Sequence, residues 1–195
     1  MDDELAYQAT IELHNLGEIM RSRRTTKLFS EKCVSANLIK EAIEVARWAP
    51  NHHLTEPWHF YLLGRRIINE LAILIGDIIL ETKKDSDLSK FKKKSALAIP
   101  GWLLVTCKRS DSELLQQEDY ASCCCAIQNL SLYLSKADVA MKWTTGLVTR
   151  DERLFKLLNI DSDKEFVVGL IWFGYPKILP KQSRKDVSEI MSILD

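Results

Sequence analysis

The densest group of side chains that could bind an anion is a short basic run near the N-terminus. Between Arg21 and Lys27 the chain places four cations and three hydroxyls within seven residues, and Leu28 and Phe29 follow as apolar anchors. Arginine can grip a phosphate through two parallel hydrogen bonds, and hydroxyl groups can donate to the same oxygens. The run therefore suggests a site for a dianionic phosphate, although a solvated basic turn is the more frequent outcome for such a run taken alone.

The tail of the chain carries a second basic cluster, far from the first in sequence. Lys181, Arg184 and Lys185 fall within five residues, just after Leu179 and Pro180. Apolar residues return beyond this cluster, at Val187, Ile190, Met191 and Ile193. A recurring apolar pattern behind a charged segment indicates that the tail packs against another surface.

The histidines and cysteines do not predict a metal site. His52 and His53 are adjacent in a polar loop, and no third ligand follows at useful spacing. The cysteines are Cys33, Cys107, Cys123, Cys124 and Cys125. Three of them are consecutive, and neighbouring residues on a helix point about 100° apart, so these three cannot converge on one ion. The odd count and the lack of any Cys-x-x-Cys pair favour small, reduced thiols in a cytoplasmic protein.

Composition and charge are those of an ordinary globular protein with one domain, predicted to span residues 1–195. Apolar residues make up 46% and charged residues 28% of the sequence. Lysine plus arginine balances aspartate plus glutamate at 27 each, so no nucleic-acid partner is expected. No apolar run approaches the ~20 residues of a membrane span, and the acidic start Met1–Glu4 lacks the order of a signal peptide. We therefore expect no membrane partner.

Hydrophobic periodicity predicts five helices and four strands. Helices are expected at residues 5–20, 36–48, 66–83 and 113–136 and after the capping-box sequence Thr149–Glu152, and strands at 58–63, within 97–107, at 139–143 and at 166–173. Residues 83–94 are highly charged and are predicted to form a surface loop or a mobile helix. This order of elements predicts an α+β domain in which helices flank a mixed sheet.

The helix predicted at residues 113–136 has an unusually apolar middle. Small or apolar side chains occupy nearly every position from Ala121 to Leu134. A helix that is apolar over most of its circumference is buried, either in the core or in a subunit interface. The periodicity alone leaves both alternatives open.

Five separated stretches resemble, in order, the nitroreductase family of FMN-dependent oxidoreductases, especially its short single-domain members. They are residues 23–29, residues 48–58, the helix that contains Asp119 and residues 128–130, residues 143–146, and residues 168–176 with the basic tail. The resemblance implies an α+β fold with a mixed, mainly antiparallel central sheet and an interlocked homodimer. It also implies that residues 1–20 form an N-terminal helix or arm and that residues 177–195 pack on the partner subunit.

The resemblance further implies which residues hold FMN. The residues implied for the phosphate and the ribityl chain are Arg23, Arg24, Thr25, Lys27, Lys181 and Arg184. Those implied for the isoalloxazine ring are Trp143, Thr144 and Thr145. His52 and Glu56 would reach the flavin from the partner subunit. No catalytic side chain is implied, because the flavin itself performs the chemistry in this class of enzyme. The flavin would lie at the subunit interface of the homodimer.

The implied activity is transfer of hydride from NADH or NADPH to FMN, followed by reduction of a small acceptor in a ping-pong cycle. The acceptor would be a nitroaromatic compound, a quinone or an unsaturated metabolite. Two departures support an alternative, a flavin store or sensor without turnover: Glu56 replaces a usual glutamine, and Thr144 replaces a usual arginine. A third hypothesis is a helical interaction protein that binds no cofactor and leaves both basic clusters solvated.

Overall fold

Four antiparallel strands form the central sheet. In the computed structural model, which describes residues 10–194, the strands are β1 Trp58–Leu63, β2 Gly101–Lys108, β3 Ala140–Thr144 and β4 Glu165–Gly174. Their order in the sheet is β1–β2–β4–β3. Every residue of β2 except its last is buried, as the continuous apolar run predicts. Within the described residues the only parallel pairing is an isolated bridge between Thr25 and Met141, so the predicted mainly antiparallel sheet is confirmed.

Six α-helices surround this sheet in the part of the chain that the structure describes. They are α1 Ile11–Ser22, α2 Ala36–Ala46, α3 Arg65–Lys83, α4 Ser86–Leu97, α5 Glu113–Lys136 and α6 Glu152–Leu158. Three 3-10 turns occur at His52–Leu54, Leu147–Arg150 and Val187–Glu189. The result is the α+β fold that the order of elements predicted. None of the described helices combines the length and the apolar composition needed to cross a membrane.

The sheet separates two hydrophobic clusters, because side chains alternate between the faces of a strand. Trp102 and Leu104 of β2 pack with α3, α4 and α6 on one face. Leu103 and Val105 pack with α2 and α5 on the other face. Burial of α5 in this second cluster accounts for much of its apolar middle, whereas Leu114 on the same helix stays exposed.

Several predicted element boundaries need correction. The charged segment after α3 forms a regular helix, α4, whose N-cap is Asp85. The helix predicted to begin with a capping box at Thr149 begins after Asp151, whose carboxylate caps the helix. Thr149 is instead buried, and its hydroxyl donates to the Gly146 carbonyl at 2.8 Å. The predicted start of the first helix at Leu5 lies outside the described residues.

Candidate functional site

The basic run lies alongside the beginning of the tail in an extended conformation. The amide of Lys177 donates to the carbonyl oxygen of Leu28 at 2.9 Å. The hydroxyl of the buried Thr26 donates to the carbonyl oxygen of Ile178 at 3.1 Å. The two basic clusters, which are far apart in sequence, are therefore brought together by hydrogen bonds between their backbones and side chains.

Arg24 connects the basic run to the tail. Its Nε donates to the carbonyl oxygen of Pro180 at 3.1 Å, and its Nη1 donates to the carbonyl oxygen of Arg23 at 2.8 Å. These bonds fix the position of the tail beside the run.

One cleft of about 520 Å³ collects arginines from both ends of the chain. This arginine cleft is lined by Met20, Arg21, Arg23, Arg24, Gln182 and Arg184. Burial lowers the pKa of Arg23, and the positive charges of Arg24 and Arg184 lower it further. Within residues 10–194, none of these three arginines forms a salt bridge with a carboxylate. Three guanidinium groups without a counterion fit an anionic ligand.

A second cationic site, the lysine cavity, lies between β3, β4, α3 and α4. It has a volume of about 210 Å³ and is lined by Ile75, Ile78, Ile79, Lys92, Lys142, Thr144, Gly146, Leu147, Val148, Leu170 and Trp172. Lys142 and Thr144 stand two positions apart on β3 and therefore share a face of the sheet. The Lys142 ammonium lies 4.7 Å from the centroid of the Trp172 ring. The cavity thus combines an apolar wall with positive charge.

The charge in the lysine cavity is not neutralised within the described part of the chain. Burial lowers the pKa of Lys142, and the positive charges of Lys27 and Lys92 lower it further. No salt bridge between residues 10 and 194 involves any of these three lysines. Lys142 is the partly desolvated charge, whereas Lys27 and Lys92 are exposed. Keeping a half-buried cation beside two like charges is costly, so the cavity is suited to a ligand that carries or gains negative charge.

The sequence did not identify two members of this cavity. Lys92 belongs to a charged segment that resembles a solvated surface, and only the packing of α4 on α3 turns it towards β3. Lys142 offered a usable signal, because lysine is unusual inside an otherwise apolar strand. In β3, Ala140 and Met141 are buried, and Lys142, Trp143 and Thr144 are half-buried.

The predicted ring-binding residues lie in three different environments. Thr144 lines the lysine cavity. Trp143 lies on the other face of β3, where its indole nitrogen donates to the carbonyl oxygen of Val168 at 3.1 Å. It packs so closely on Gly169 that a Cβ there would lie 2.0 Å from the indole nitrogen. Thr145 is exposed and lines neither the cavity nor the arginine cleft.

The remaining predicted residues also lie outside the two cationic sites. Lys181 is an exposed residue of the tail and does not line the arginine cleft, although Arg184 does. His52 and Glu56 are exposed on the loop between α2 and β1. Within one chain the structure therefore unites Arg23, Arg24 and Arg184 at one site and leaves His52 and Glu56 apart from it.

The loop that carries His52 and Glu56 has an unusual backbone. His53, Leu54 and Glu56 have φ values of 59°, 51° and 43°, in the left-handed region that residues with a side chain rarely adopt. The side chain of Asn51 stabilises the loop, because its oxygen accepts from the amide of Glu56 at 2.7 Å. The loop therefore presents its two histidines in a fixed local geometry.

The fold also supplies a partner for the histidine pair that the sequence spacing could not reveal. The imidazole rings of His52 and His53 lie 3.9 Å apart, centroid to centroid. Their ring nitrogens and a carboxylate oxygen of Glu118 all lie within 4.8 Å of one another. Glu118 comes from α5, so spacing along the sequence could not reveal its approach to the histidines, and the expectation that this loop binds no metal stays a prediction.

Comparison with known proteins gives concordant matches over most of the chain. A family model described as the nitroreductase family matches residues 20–175. The chain is 29% identical over 175 residues to a Bacillus subtilis (strain 168) protein named "Putative NAD(P)H nitroreductase YfhC", covering 87% of this chain and 89% of that protein.

Solved structures share the fold. A nitroreductase-like family protein from Bacillus cereus is 23% identical, with a TM-score of 0.82 over 97% of this chain and 98% of that chain. A nitroreductase with bound FMN from Bacteroides fragilis NCTC 9343 is 20% identical, with a TM-score of 0.74 over 92% and 98% of the two chains.

Proposed function

The chain belongs to the nitroreductase family, and from this premise we propose that it is an FMN-dependent oxidoreductase that takes hydride from NADH or NADPH. The acceptor would be a small nitroaromatic compound, quinone or unsaturated metabolite, reduced in a ping-pong cycle. The observation that carries the proposal is a pair of cationic sites near the two ends of the segment Arg23–Lys27. Within the described residues Arg23, Arg24, Arg184 and Lys142 form no salt bridge, whereas Arg21 of the cleft pairs with Glu18.

The dimensions of this segment suit FMN. Four residue steps separate Arg23 from Lys27, which is about 13 Å at ~3.3 Å per extended residue. FMN has a dianionic phosphate at one end of its ribityl chain and an electron-accepting ring at the other. The arginine cleft matches the first requirement, and the lysine cavity with its apolar wall matches the second. The residues present therefore fit the cofactor.

We assign the phosphate to the arginine cleft. Arg23 and Arg184 supply guanidinium groups from opposite ends of the chain. Thr25 does not line the cleft itself but is exposed two residues from Arg23, and its hydroxyl would be a further donor. Arg24 holds the tail that carries Arg184 and contributes charge to the cleft. Lys181 would reach the phosphate only from the exposed tail, so its contribution would be smaller than that of Arg184.

We assign the ring to the lysine cavity. When bound, the flavin supplies the hydride chemistry. Lys27, Lys92 and Lys142 favour negative charge on whatever occupies the cavity, and this raises the tendency of a bound flavin to accept electrons. Thr144, which lines the same cavity, supplies a hydroxyl where the family resemblance leads us to expect an arginine. Lys142 is positioned to compensate for that missing charge.

A homodimer would complete the site. Trp48, Leu54 and Leu114 are 75%, 82% and 67% exposed. These large apolar side chains belong to the α2 end, the histidine loop and α5, and a second copy of the chain would cover them. In that dimer His52 and Glu56 would approach the partner's flavin, and the tail from residue 177 would pack on the partner subunit. The single domain over residues 1–195 and a cytoplasmic location remain predictions from the sequence.

The decisive experiment is the visible absorption spectrum of the purified protein, before and after anaerobic addition of NADH or NADPH. We expect a flavin spectrum that bleaches with one of the two nucleotides. A flavin spectrum that persists would favour the alternative of a flavin store or sensor. A protein that takes up no added FMN would contradict both functions.

A further inference from the structure

We propose that the exposed face of α4 recognises the adenosine end of the hydride donor and selects NADPH over NADH. Phe91 would stack on the adenine ring, and Lys94 would bind the 2′-phosphate that only NADPH carries. Neither residue lines the arginine cleft or the lysine cavity, so this surface is separate from both. The inference rests on the proposed function, because it names the donor for the same flavin site.

Helix α4 lies beside the cavity to which we assign the flavin ring. It packs on α3, where the Ser89 hydroxyl donates to the carbonyl oxygen of Gly76 at 2.7 Å. Lys92 of α4 lines the lysine cavity together with Ile75 and Ile79 of α3. A dinucleotide whose nicotinamide ring reached this cavity would extend past the wall that α4 forms.

Phe91 offers a flat aromatic face on the outer side of this helix. It is 61% exposed, whereas Ala96 on the same helix is 1% exposed and belongs to the core. A single exposed apolar residue is ordinary by itself, but an aromatic face beside cations matches the chemistry of a nucleotide, because bases stack on aromatic rings. The surfaces that we assign to the homodimer are the α2 end, the histidine loop and α5, so they do not include Phe91.

The segment around Phe91 is strongly cationic in a chain that has no net charge. Residues 83–94 contain six lysines and two aspartates. Within the described residues only one of these lysines, Lys90, forms a salt bridge, and its partner is Asp87. Lys94 lies three residues after Phe91 and is therefore its neighbour on the helix surface. Its ammonium is available to a phosphate.

The 2′-phosphate is the group by which the two donors differ. A phosphate monoester carries about two negative charges near neutral pH, so a cationic surface attracts NADPH more strongly than NADH. A charge-assisted hydrogen bond from Lys94 would strengthen that preference. Stacking on Phe91 is available to both donors, because both contain adenine. The two residues would therefore act separately, with Phe91 supporting the affinity for both donors and Lys94 the difference between them.

Calorimetric titration of the flavin-loaded protein with NADP⁺ and with NAD⁺ tests the inference without turnover. We expect NADP⁺ to bind about tenfold more tightly at low ionic strength, and added salt to reduce the difference. Lys94→Met should weaken NADP⁺ binding about fivefold and leave NAD⁺ binding unchanged. Phe91→Ala should weaken the binding of both by about fivefold or more. Phe91→Tyr keeps an aromatic face and should bind both as the wild type does.

Lys40→Met is the matched control, because Lys40 is an exposed lysine of α2, on the other face of the sheet. It should leave both affinities unchanged. Equal affinities for NADP⁺ and NAD⁺, a wild-type preference in Lys94→Met, or wild-type affinities in Phe91→Ala would overturn the inference. The anaerobic spectra distinguish this failure from that of the proposed function. Equal bleaching by both nucleotides contradicts only the selection of NADPH, whereas bleaching by neither contradicts the proposed hydride transfer.

Discussion

The arginine cleft and the lysine cavity lie at opposite ends of Arg23–Lys27 and differ in the type of cation and in its surroundings. In the cleft, Arg24 is held by backbone carbonyls, and the space around the guanidinium groups is wide, about 520 Å³. In the cavity, the half-buried Lys142 ammonium lies over the ring of Trp172, and the space is about 210 Å³.

This difference indicates that the two sites have separate functions in binding FMN. A guanidinium stays charged at all accessible pH values and matches the geometry of a phosphate, so the cleft is suited to affinity. An ammonium responds readily to burial and to neighbouring charge, and the pKa of Lys142 is already lowered. The cavity is therefore suited to adjusting the electronic properties of its ligand. If so, mutations in the cleft should change mainly the affinity for FMN, and mutations in the cavity should change mainly the reduction potential of bound FMN.

The largest effect is expected in the cleft. The double variant Arg23→Ala/Arg184→Ala removes two charge-assisted donors, at ~1.5 kcal/mol each, and should weaken FMN binding about a hundredfold or more. Fluorescence titration of the protein with FMN measures this loss. Arg66→Ala is the matched control, because Arg66 is an exposed helix residue paired with Glu70. An unchanged FMN dissociation constant in the double variant would mean that the phosphate does not bind in the arginine cleft.

A smaller effect of another kind is expected in the cavity. Lys142→Met removes one half-buried positive charge and should lower the two-electron reduction potential of bound FMN by about 30 mV, equivalent to ~1.4 kcal/mol. FMN affinity should change by less than tenfold, because the phosphate contacts remain. Anaerobic dye-equilibrium reduction measures the potential. Lys90→Met is the control, since Lys90 pairs with Asp87 at the surface. Equal reduction potentials in the wild type and in Lys142→Met would contradict a role of the lysine cavity in adjusting the flavin.

The two sites also differ in how far the sequence could predict them. The cleft was predictable in outline, because its arginines belong to two basic clusters that lacked any other explanation. The assignment of Arg24 was incomplete, since only the pairing of the run with the tail shows that its donors serve backbone carbonyls. The fold itself was predictable where local signals agreed: α5 has the bounds that its caps and apolar pattern predict.

The cavity and the cluster of His52, His53 and Glu118 depend on contacts that sequence spacing does not encode. Lys92 and Lys142 meet through the packing of α4 and β3, and each belongs to a segment with an ordinary local explanation. Glu118 approaches His52 and His53 because α5 lies beneath the loop. Convergence of distant polar residues on one point is a property of tertiary packing, so periodicity and local propensity cannot reveal it.

A modest pH effect should also distinguish the sites. Binding of an electron-rich ligand raises the lowered pKa of Lys142, so affinity is full while Lys142 is protonated and falls as pH rises through its pKa in the free protein. Lys92 lines the same cavity, and Lys27 acts on Lys142 through its positive charge without lining the cavity, whereas the arginines stay charged. We expect FMN affinity to fall a few-fold between pH 7 and 10, and Lys142→Met to reduce that fall. Fluorescence titrations with FMN across this pH range measure the affinity of the wild type and of Lys142→Met. If the affinity of both proteins fell equally with pH, Lys142 would not be the group responsible.

The smallest effect should come from the contact that holds the tail. Thr26→Val removes the hydroxyl that donates to Ile178 and accepts from the amide of Leu28, and should lower the free energy of unfolding by about 1 kcal/mol. Chemical denaturation measures that change. Because Arg184 belongs to the tail, FMN binding should also weaken, by about two- to threefold. This is less than the roughly tenfold weakening expected when one charge-assisted hydrogen bond is lost.

Riboflavin, which lacks the phosphate, is the control ligand for this variant. Its binding depends on the lysine cavity, so Thr26→Val should leave it unchanged while FMN binding weakens. Thr10→Val, at the exposed N-cap of α1, is the control substitution, because its hydroxyl accepts from the amide of Leu13 and makes no bond to the tail within the described residues. If Thr26→Val weakened the binding of FMN and riboflavin equally, the tail would support both sites. The arginine cleft and the lysine cavity could then not be altered independently.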